Sequence, residues 1–130
     1  NERTYRRVKG ERVLQNSQKD FHKKLLGRQG ERAVLKYMRE LGFSLVEKNY
    51  KTPYGEADLI MKKDGSTYFI EVKTRSGTLF GDPKDAVDKK KIEKYGKISE
   101  YYLLTHEDED IRFCVAEVLN GEINVLYDAF

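Results

Sequence analysis

Apolar residues recur at three- and four-residue intervals in two long stretches, which is the pattern of helices with one buried face. The first predicted helix covers Lys19–Leu41, and Gly42 directly after it is typical of a helix end. Gly27 and Gly30 weaken the middle of this helix, which leaves open whether the segment is one helix or two. The second predicted helix covers Lys84–Leu104.

Elsewhere, apolar and polar positions alternate with the period of two that is typical of strands. We predict five strands, at Ser44–Tyr50, Glu56–Lys62, Thr67–Lys73, Ile111–Leu119 and Glu122–Tyr127. The dipeptides Asp64-Gly65 and Asn120-Gly121 are strong signals for two-residue hairpin turns, and Ser76–Pro83 is predicted as a loop. The order α-β-β-β-α-β-β indicates an α/β fold, with a mixed β-sheet flanked by helices.

The chain has 130 residues, enough for one domain with a modest core. Residues 1–18 lack a sustained pattern and are predicted to form a basic, flexible N-terminal arm, which leaves residues 19–130 as a single domain. Residues 1–28 carry nine basic and three acidic residues, a charge of +6, while the remainder carries −3. Such a basic segment suits a polyanion such as nucleic acid; a solvated tail is the alternative.

Several classes of protein are disfavoured by composition. Cys114 is the only cysteine, which excludes an internal disulfide and fits a cytoplasmic location. Two histidines offer little material for a zinc site or a histidine-dependent triad. The chain has no long uncharged apolar run, so we expect no membrane segment.

The predicted hairpin around Asp64-Gly65 is unusually acidic. If these two residues form the turn, Asp58 lies directly opposite Glu71 and Glu56 lies opposite Lys73, all on one face of the sheet. Four apolar side chains then fall on the other face and are expected in the core: Leu59, Met61, Ile70 and Val72.

Two carboxylates about 5 Å apart repel by roughly 3 kcal/mol at an effective dielectric near 20. A nearby positive charge is therefore needed to compensate for this repulsion. Lys73 supplies part of it, and a divalent cation such as Mg²⁺, which prefers oxygen ligands, would supply the rest. The alternative is an ordinary wet face with surface ion pairs.

Other charged residues near the hairpin also have two interpretations. Glu31 is either a third carboxylate of the site, brought close to the sheet by Gly30, or a favourable acid near a helix start. Lys91 interrupts an apolar stripe, and it either extends along this surface to water or contacts a phosphate. Arg75 either holds a phosphate or forms a surface pair. The loop aromatics Tyr54 and Phe80 either stack on a base or close an edge of the core.

A set of ordered motifs identifies a resemblance. The motifs are Gly27-Arg-Gln-Gly30-Glu31, Asn49-Tyr50, Gly55-Glu-Ala-Asp58-Leu-Ile60, Glu71-Val-Lys73-Thr-Arg75, Phe80-Gly-Asp-Pro83 and Lys91. With them, the chain resembles the family UPF0102, also called YraN-like, from about Gly27 to Val118. That family is similar to the PD-(D/E)XK nuclease superfamily and related to archaeal Holliday-junction resolvases, which implies a restriction-endonuclease-like core.

The resemblance implies a set of roles for the acidic hairpin. Asp58, Glu71 and the carbonyl of Val72 would bind Mg²⁺, with Mn²⁺ as a substitute. Lys73 would orient the attacking water and stabilise charge on the phosphate, and Glu31 would complete the catalytic set.

The resemblance also implies a substrate. Arg75, Lys91 and Arg28 are assigned to nucleic-acid contacts, most simply with DNA. The expected activity is Mg²⁺-dependent endonucleolytic hydrolysis of phosphodiester bonds in branched or single-stranded DNA. Two alternatives stay open, a non-catalytic DNA-binding or scaffolding protein and a metal-free structural domain. Junction-cleaving relatives are often dimers, so a homodimer is considered. Cys114 stands where relatives often have aspartate, in a strand that reads Arg112-Phe-Cys-Val115 here.

Overall fold

The computed structural model describes residues 2–76, 79–80, 87–107 and 109–130, with side chains from residue 18 onward. Its elements are α1 (Glu2–Glu40), β1 (Ser44–Thr52), β2 (Gly55–Lys63), β3 (Ser66–Thr74), α2 (Lys89–Leu103), β4 (Asp110–Leu119) and β5 (Glu122–Leu126). This order confirms the predicted α-β-β-β-α-β-β arrangement. Within these ranges, no helix is both long enough and apolar enough to span a membrane.

The five strands form one mixed sheet in the order β1-β2-β3-β4-β5. Neighbouring strands are antiparallel except for β3 and β4, which are parallel. A parallel pair needs a long crossover connection, and α2 lies in the one between β3 and β4. The predicted α/β class with a mixed sheet is therefore confirmed, and it is consistent with a restriction-endonuclease-like core.

Each face of the sheet has its own apolar core. The core on the α1 side is mostly aliphatic and contains Val34, Met38, Phe43, Leu59, Met61, Ile70, Cys114, Ala116 and Val118. The core on the α2 side is half aromatic and contains Ala57, Ile60, Phe69, Tyr95, Ile98 and Tyr102. Three of the four apolar hairpin residues predicted for the core are fully buried, and the fourth, Val72, packs against the α1-side core.

Both predicted hairpin turns are confirmed. Asp64 and Gly65 have φ of 50° and 81°, and Asn120 and Gly121 have φ of 49° and 80°. Positive φ at both central residues defines the type I′ turn, whose twist matches that of paired strands.

Of the two possibilities for the first helix, the structure shows the undivided one, since α1 runs without a break through Gly27 and Gly30. Gly30 serves packing instead: a Cβ atom added there would lie 2.2 Å from the Thr74 side-chain oxygen. The expected close approach of helix and sheet is thus confirmed. α1 also begins at Glu2, inside the predicted N-terminal arm; the division into arm and domain stays a prediction.

The second helix begins later than predicted, at Lys89 rather than Lys84. Asp88 is its N-cap, with an extended backbone and a side-chain Oδ1 that accepts a hydrogen bond from the Lys91 amide at 2.8 Å. Such a cap satisfies an amide left open by the first helical turn. Most of the predicted loop Ser76–Pro83 lies outside the described residues.

Candidate active site

The acidic end of the hairpin coincides with a local irregularity in β1 and β2. The backbone pairing of these strands keeps one register from Glu47↔Ile60 to Thr52↔Gly55 but omits the step at Asn49 and Asp58. Asn49 has a φ of 51°, a left-handed conformation that asparagine tolerates better than most residues. The two strands are therefore distorted together at the level of Asp58.

This irregularity changes which way β2 side chains face. Ala57 and Ile60 both pack in the α2-side core, although strict alternation would put residues three apart on opposite faces. The alternation therefore slips by one residue around Asp58. As a result, the Asp58 carboxylate interacts electrostatically with Glu31 of α1 and with Glu71.

The hairpin register is confirmed from Lys63↔Ser66 to Leu59↔Ile70, where the backbone pairing ends. Asp58 and Glu71 are the next residues on each strand but are not paired through their backbones. Instead, Oδ2 of Asp58 accepts a hydrogen bond from the Val72 amide at 2.8 Å. A side-chain carboxylate thus takes the place of a ladder carbonyl.

The predicted position of Glu56 is wrong. The β2–β3 pairing ends at Leu59↔Ile70, so the predicted pair of Glu56 and Lys73 is not formed. Glu56 pairs in register with Lys51 of β1. The prediction failed because it extended the strict alternation of side chains along β2 past Asp58, where that alternation shifts by one residue.

Asn49 joins two acids. With its carboxamide oriented by its hydrogen bonds, Nδ2 donates to Oε1 of Glu31 at 3.1 Å and to Oε1 of Glu56 at 3.2 Å. The asparagine therefore holds together two carboxylates that would otherwise repel. Sequence reasoning used Asn49 only as part of a motif, and alternation alone offers no signal for an asparagine with positive φ inside a strand.

The acids at this site are electrostatically crowded. Burial raises the pKa of Glu31, and the charges of Asp58 and Glu56 raise it further. Burial also raises the pKa of Asp58, and the charge of Glu71 adds to this, while the hydrogen bond from Val72 opposes it. Both groups thus resist ionisation where they sit, which is the electrostatic condition of a site suited to a cation.

Glu71 is neutralised by two lysines of α2. Lys91 Nζ lies 2.8 Å from Oε2 and Lys94 Nζ lies 3.5 Å from Oε1. The expectation that Lys91 extends to water is therefore wrong, since its ammonium meets a largely buried carboxylate. Lys94 was not predicted; it lies one position from Tyr95 in the apolar stripe and carried no separate signal.

Arg75 has a partner inside the protein. Its Nε donates to Oε2 of Glu117, and the Glu117 residue is only 3% exposed. The ion pair expected at the surface is thus a largely buried one, and a phosphate contact by Arg75 stays a prediction. Lys73 is half-buried on the same strand and is in register with Glu117 of β4.

The structure also gives the surroundings of three other residues that the sequence singled out. Arg28 is exposed and lines a cavity of about 180 Å³ with Glu31, and its charge opposes the rise in the Glu31 pKa. Tyr54 is half exposed and contacts the ring of Tyr101 edge to face. Cys114 is buried in the α1-side core, and burial raises its thiol pKa to about 12.

The donor chemistry fits the expected cation. Asp58 and Glu71 offer carboxylate oxygens, and Val72 offers a carbonyl, which are the ligands that Mg²⁺ prefers. In the described side-chain positions, however, no three acidic, histidine or cysteine side chains are grouped to hold a metal ion. Because Glu71 is turned towards Lys91 and Lys94, cation binding would require these ion pairs to open.

Comparison with known proteins shows the family to which the chain belongs. The model of the "Uncharacterised protein family UPF0102" matches residues 30–118. A UPF0102 protein of Syntrophomonas wolfei is 38% identical over 111 residues, which cover 81% of this chain and 96% of that protein. One from Dictyoglomus thermophilum is 36% identical over 110 residues, 83% of this chain and 93% of that protein. One from Persephonella marina is 30% identical over 106 residues, with coverage of 80% and 91%. The chain belongs to the uncharacterised protein family UPF0102.

Proposed function

We propose that the protein is a metal-dependent endonuclease that hydrolyses phosphodiester bonds in DNA. One observation carries this proposal: the Asp58 carboxylate, just past the end of the β2–β3 ladder, interacts electrostatically with both Glu31 and Glu71. Lys73 lies two residues after Glu71 on β3. Acids whose pKa values are raised by burial and by neighbouring charges, as those of Glu31 and Asp58 are, cluster at functional sites.

The cation would be held by the carboxylates of Asp58 and Glu71 and by the carbonyl of Val72. Mg²⁺ is the preferred ion, and Mn²⁺ would substitute for it. When bound, such an ion supplies Lewis-acid stabilisation of the charge that develops on a phosphate.

The chain's own residues would supply the remaining chemistry. A water oxygen attacks phosphorus in line as the bond to the leaving oxygen breaks; the attacking water gives up a proton to solvent, and the leaving oxygen takes one from solvent. Lys73 would orient this water and stabilise charge on the non-bridging oxygens, which is electrostatic catalysis. Glu31, held by Asn49, would hydrogen-bond to water at the site.

Lys91 has two roles that exclude each other. At 2.8 Å its ammonium is engaged by Glu71, so its predicted phosphate contact requires that pair to open. Substrate phosphate and the Glu71 carboxylate would therefore compete for the same lysine.

A second candidate function is non-catalytic DNA binding or scaffolding by the nuclease fold. The observation that favours it is the same pair of contacts, since Lys91 and Lys94 already neutralise Glu71. In this case the site would be a structural charge network beside a DNA-binding surface.

Cleavage of defined DNA distinguishes the two functions. Purified protein is incubated with end-labelled single strands, duplexes, flaps and four-way junctions, each with Mg²⁺, Mn²⁺ or EDTA. We expect cleavage of at least one branched or single-stranded DNA with metal and none with EDTA. Lys73→Ala should abolish cleavage while keeping the circular-dichroism spectrum, and Lys97→Ala, at an exposed lysine of α2, is the matched control.

DNA binding without cleavage under every metal would reject the endonuclease and favour the second function. Cleavage by Lys73→Ala at the wild-type rate would also overturn the proposed mechanism.

A further inference from the structure

The outer face of α1 is basic. Four exposed residues at three- and four-residue spacings form it: Arg28, Arg32, Lys36 and Arg39. At about 100° per residue they fall within an arc of roughly 80°. Val34 and Met38, which are fully buried against the sheet, lie on the other side of the helix.

Two adjoining depressions lie along this face. A cavity of about 370 Å³, lined by Lys36 and Arg39 among others, shares Arg32 and Leu35 with the cavity of about 180 Å³ next to Glu31. We call these two cavities together the α1 groove. It therefore leads from the C-terminal end of α1 to one of the acids of the candidate active site.

The walls of the α1 groove carry mostly one sign of charge. Lys48 of β1 lines the end near Glu31, across from the basic residues of α1. Between Lys24 and Arg39 the only acid in the sequence is Glu31, and it lies at the active-site end; Glu40 lines the far end. An ordinary solvated helix face intersperses both signs, so this one is suited to an extended anion.

We propose that the α1 groove binds the phosphodiester backbone of one DNA strand and leads it to the candidate active site. Residues four apart on a helix are separated by about 6 Å along its axis. Phosphates of one strand are spaced by about 3.4 Å along the duplex axis, so successive basic residues match roughly every second phosphate. This inference rests on the proposed function for its substrate, and it adds the path by which that substrate reaches the site.

The groove can be tested by binding alone, in EDTA, where no cleavage occurs. Fluorescence anisotropy of a labelled DNA flap is measured over a series of salt concentrations. The groove variant is Arg32→Glu/Lys36→Glu. Its matched control is Lys19→Glu/Lys23→Glu, which makes the same charge change at exposed residues of the same helix but about 140–180° around it from Arg32.

We expect the groove variant to lose roughly tenfold or more in affinity at low salt. Its plot of log affinity against log salt should be shallower by about 2, because each phosphate contact contributes close to one unit of slope. The control should stay within about threefold of wild type, and thermal unfolding should show both variants folded.

Equal losses in the two variants would overturn the groove in favour of diffuse attraction by the basic N-terminal segment. Unchanged DNA binding by the groove variant, or no DNA binding by the wild type, would overturn it as well. So would loss of binding to phosphatidylserine vesicles with DNA binding intact, which would make the face a membrane contact. Groove-dependent binding without cleavage under any metal would instead refute the nuclease proposal and leave the groove standing.

Discussion

Two groups of acids in and beside the sheet differ in how their charges are balanced. Glu117 in β4 is matched with one base, Arg75. At the other set, Glu31 and Asp58 crowd together with Glu56 and Glu71 so that the pKa values of the first two rise. Among the residues that the structure describes, Glu71 is the one acid of this set with an ion pair to lysines.

This difference supports the proposal that the crowded set is a functional site and that the Glu117–Arg75 pair is a structural one. A one-to-one pair neutralises its charges and can be kept for the fold alone. A crowded set costs stability, since each carboxylate makes its neighbours harder to ionise, and such an arrangement is expected where a site needs it. The two sets should therefore respond differently to the same chemical change, a carboxylate replaced by a carboxamide.

The largest effect is expected for Glu71→Gln in the crowded set. The carboxamide keeps the shape of the side chain but loses the charge needed for a cation, so single-turnover cleavage should fall by roughly 10²–10³-fold or more. The matched change Glu117→Gln should leave cleavage by the folded protein within a few-fold of wild type. Equal losses of cleavage in the two variants would erase the distinction.

The second largest effect is expected on stability, at the Glu117–Arg75 pair. Glu117→Gln leaves the largely buried Arg75 guanidinium without its anion, which should lower the free energy of unfolding by about 2–3 kcal/mol. Urea denaturation measures this. Adding Arg75→Met should recover part of the loss, because the unpaired charge is then removed; no recovery would show that Glu117 acts through other contacts.

The sequence predicted the regular parts of this comparison well. The turn at Asp64-Gly65 sets the β2–β3 register, because a two-residue turn leaves one way to pair the strands, and this register holds as far as Leu59↔Ile70. Glycine beside a helical acid correctly indicated a close approach to the sheet. Turn signals and residue spacing were therefore enough to predict the regular elements of the fold.

The irregular parts could not be predicted, for physical reasons. The slip at Asn49 and Asp58 is a shared distortion of two strands, and alternation carried past it places Glu56 wrongly. The ion pairs of Lys91 and Lys94 with Glu71 join helix α2 to strand β3. The ion pair of Arg75 with Glu117 joins the end of β3 to its parallel neighbour β4. Such contacts depend on tertiary geometry that no spacing within one element encodes.

A smaller effect is expected at Asn49, which ties Glu31 to Glu56. Asn49→Ala removes both hydrogen bonds and leaves a β-carbon in a left-handed conformation, so we expect a loss of about 1–2 kcal/mol. Asn49→Gly loses the same hydrogen bonds but tolerates the positive φ. Chemical denaturation should therefore find the glycine variant the more stable of the two, and the reverse order would contradict the conformational role.

The smallest effect is a pH dependence of stability, reduced by the partial exposure of the groups. Because the folded pKa of Asp58 lies above its unfolded value, the folded state takes up a proton first as pH falls. Stability from this group should rise as pH falls below neutrality towards the unfolded pKa. Asp58→Asn should remove that contribution in urea unfolding at pH 7 and pH 5, whereas Glu100→Gln, at an exposed acid of α2, should keep it. An unchanged pH profile in Asp58→Asn would contradict the crowding.

Whether the crowded acids bind a cation is tested most directly by anomalous diffraction from a crystal soaked in Mn²⁺. We predict a peak bound by carboxylate oxygens of both Asp58 and Glu71, with the Glu71–Lys91 ion pair opened. No peak at saturating Mn²⁺, with Glu71 still held by Lys91 and Lys94, would contradict the account.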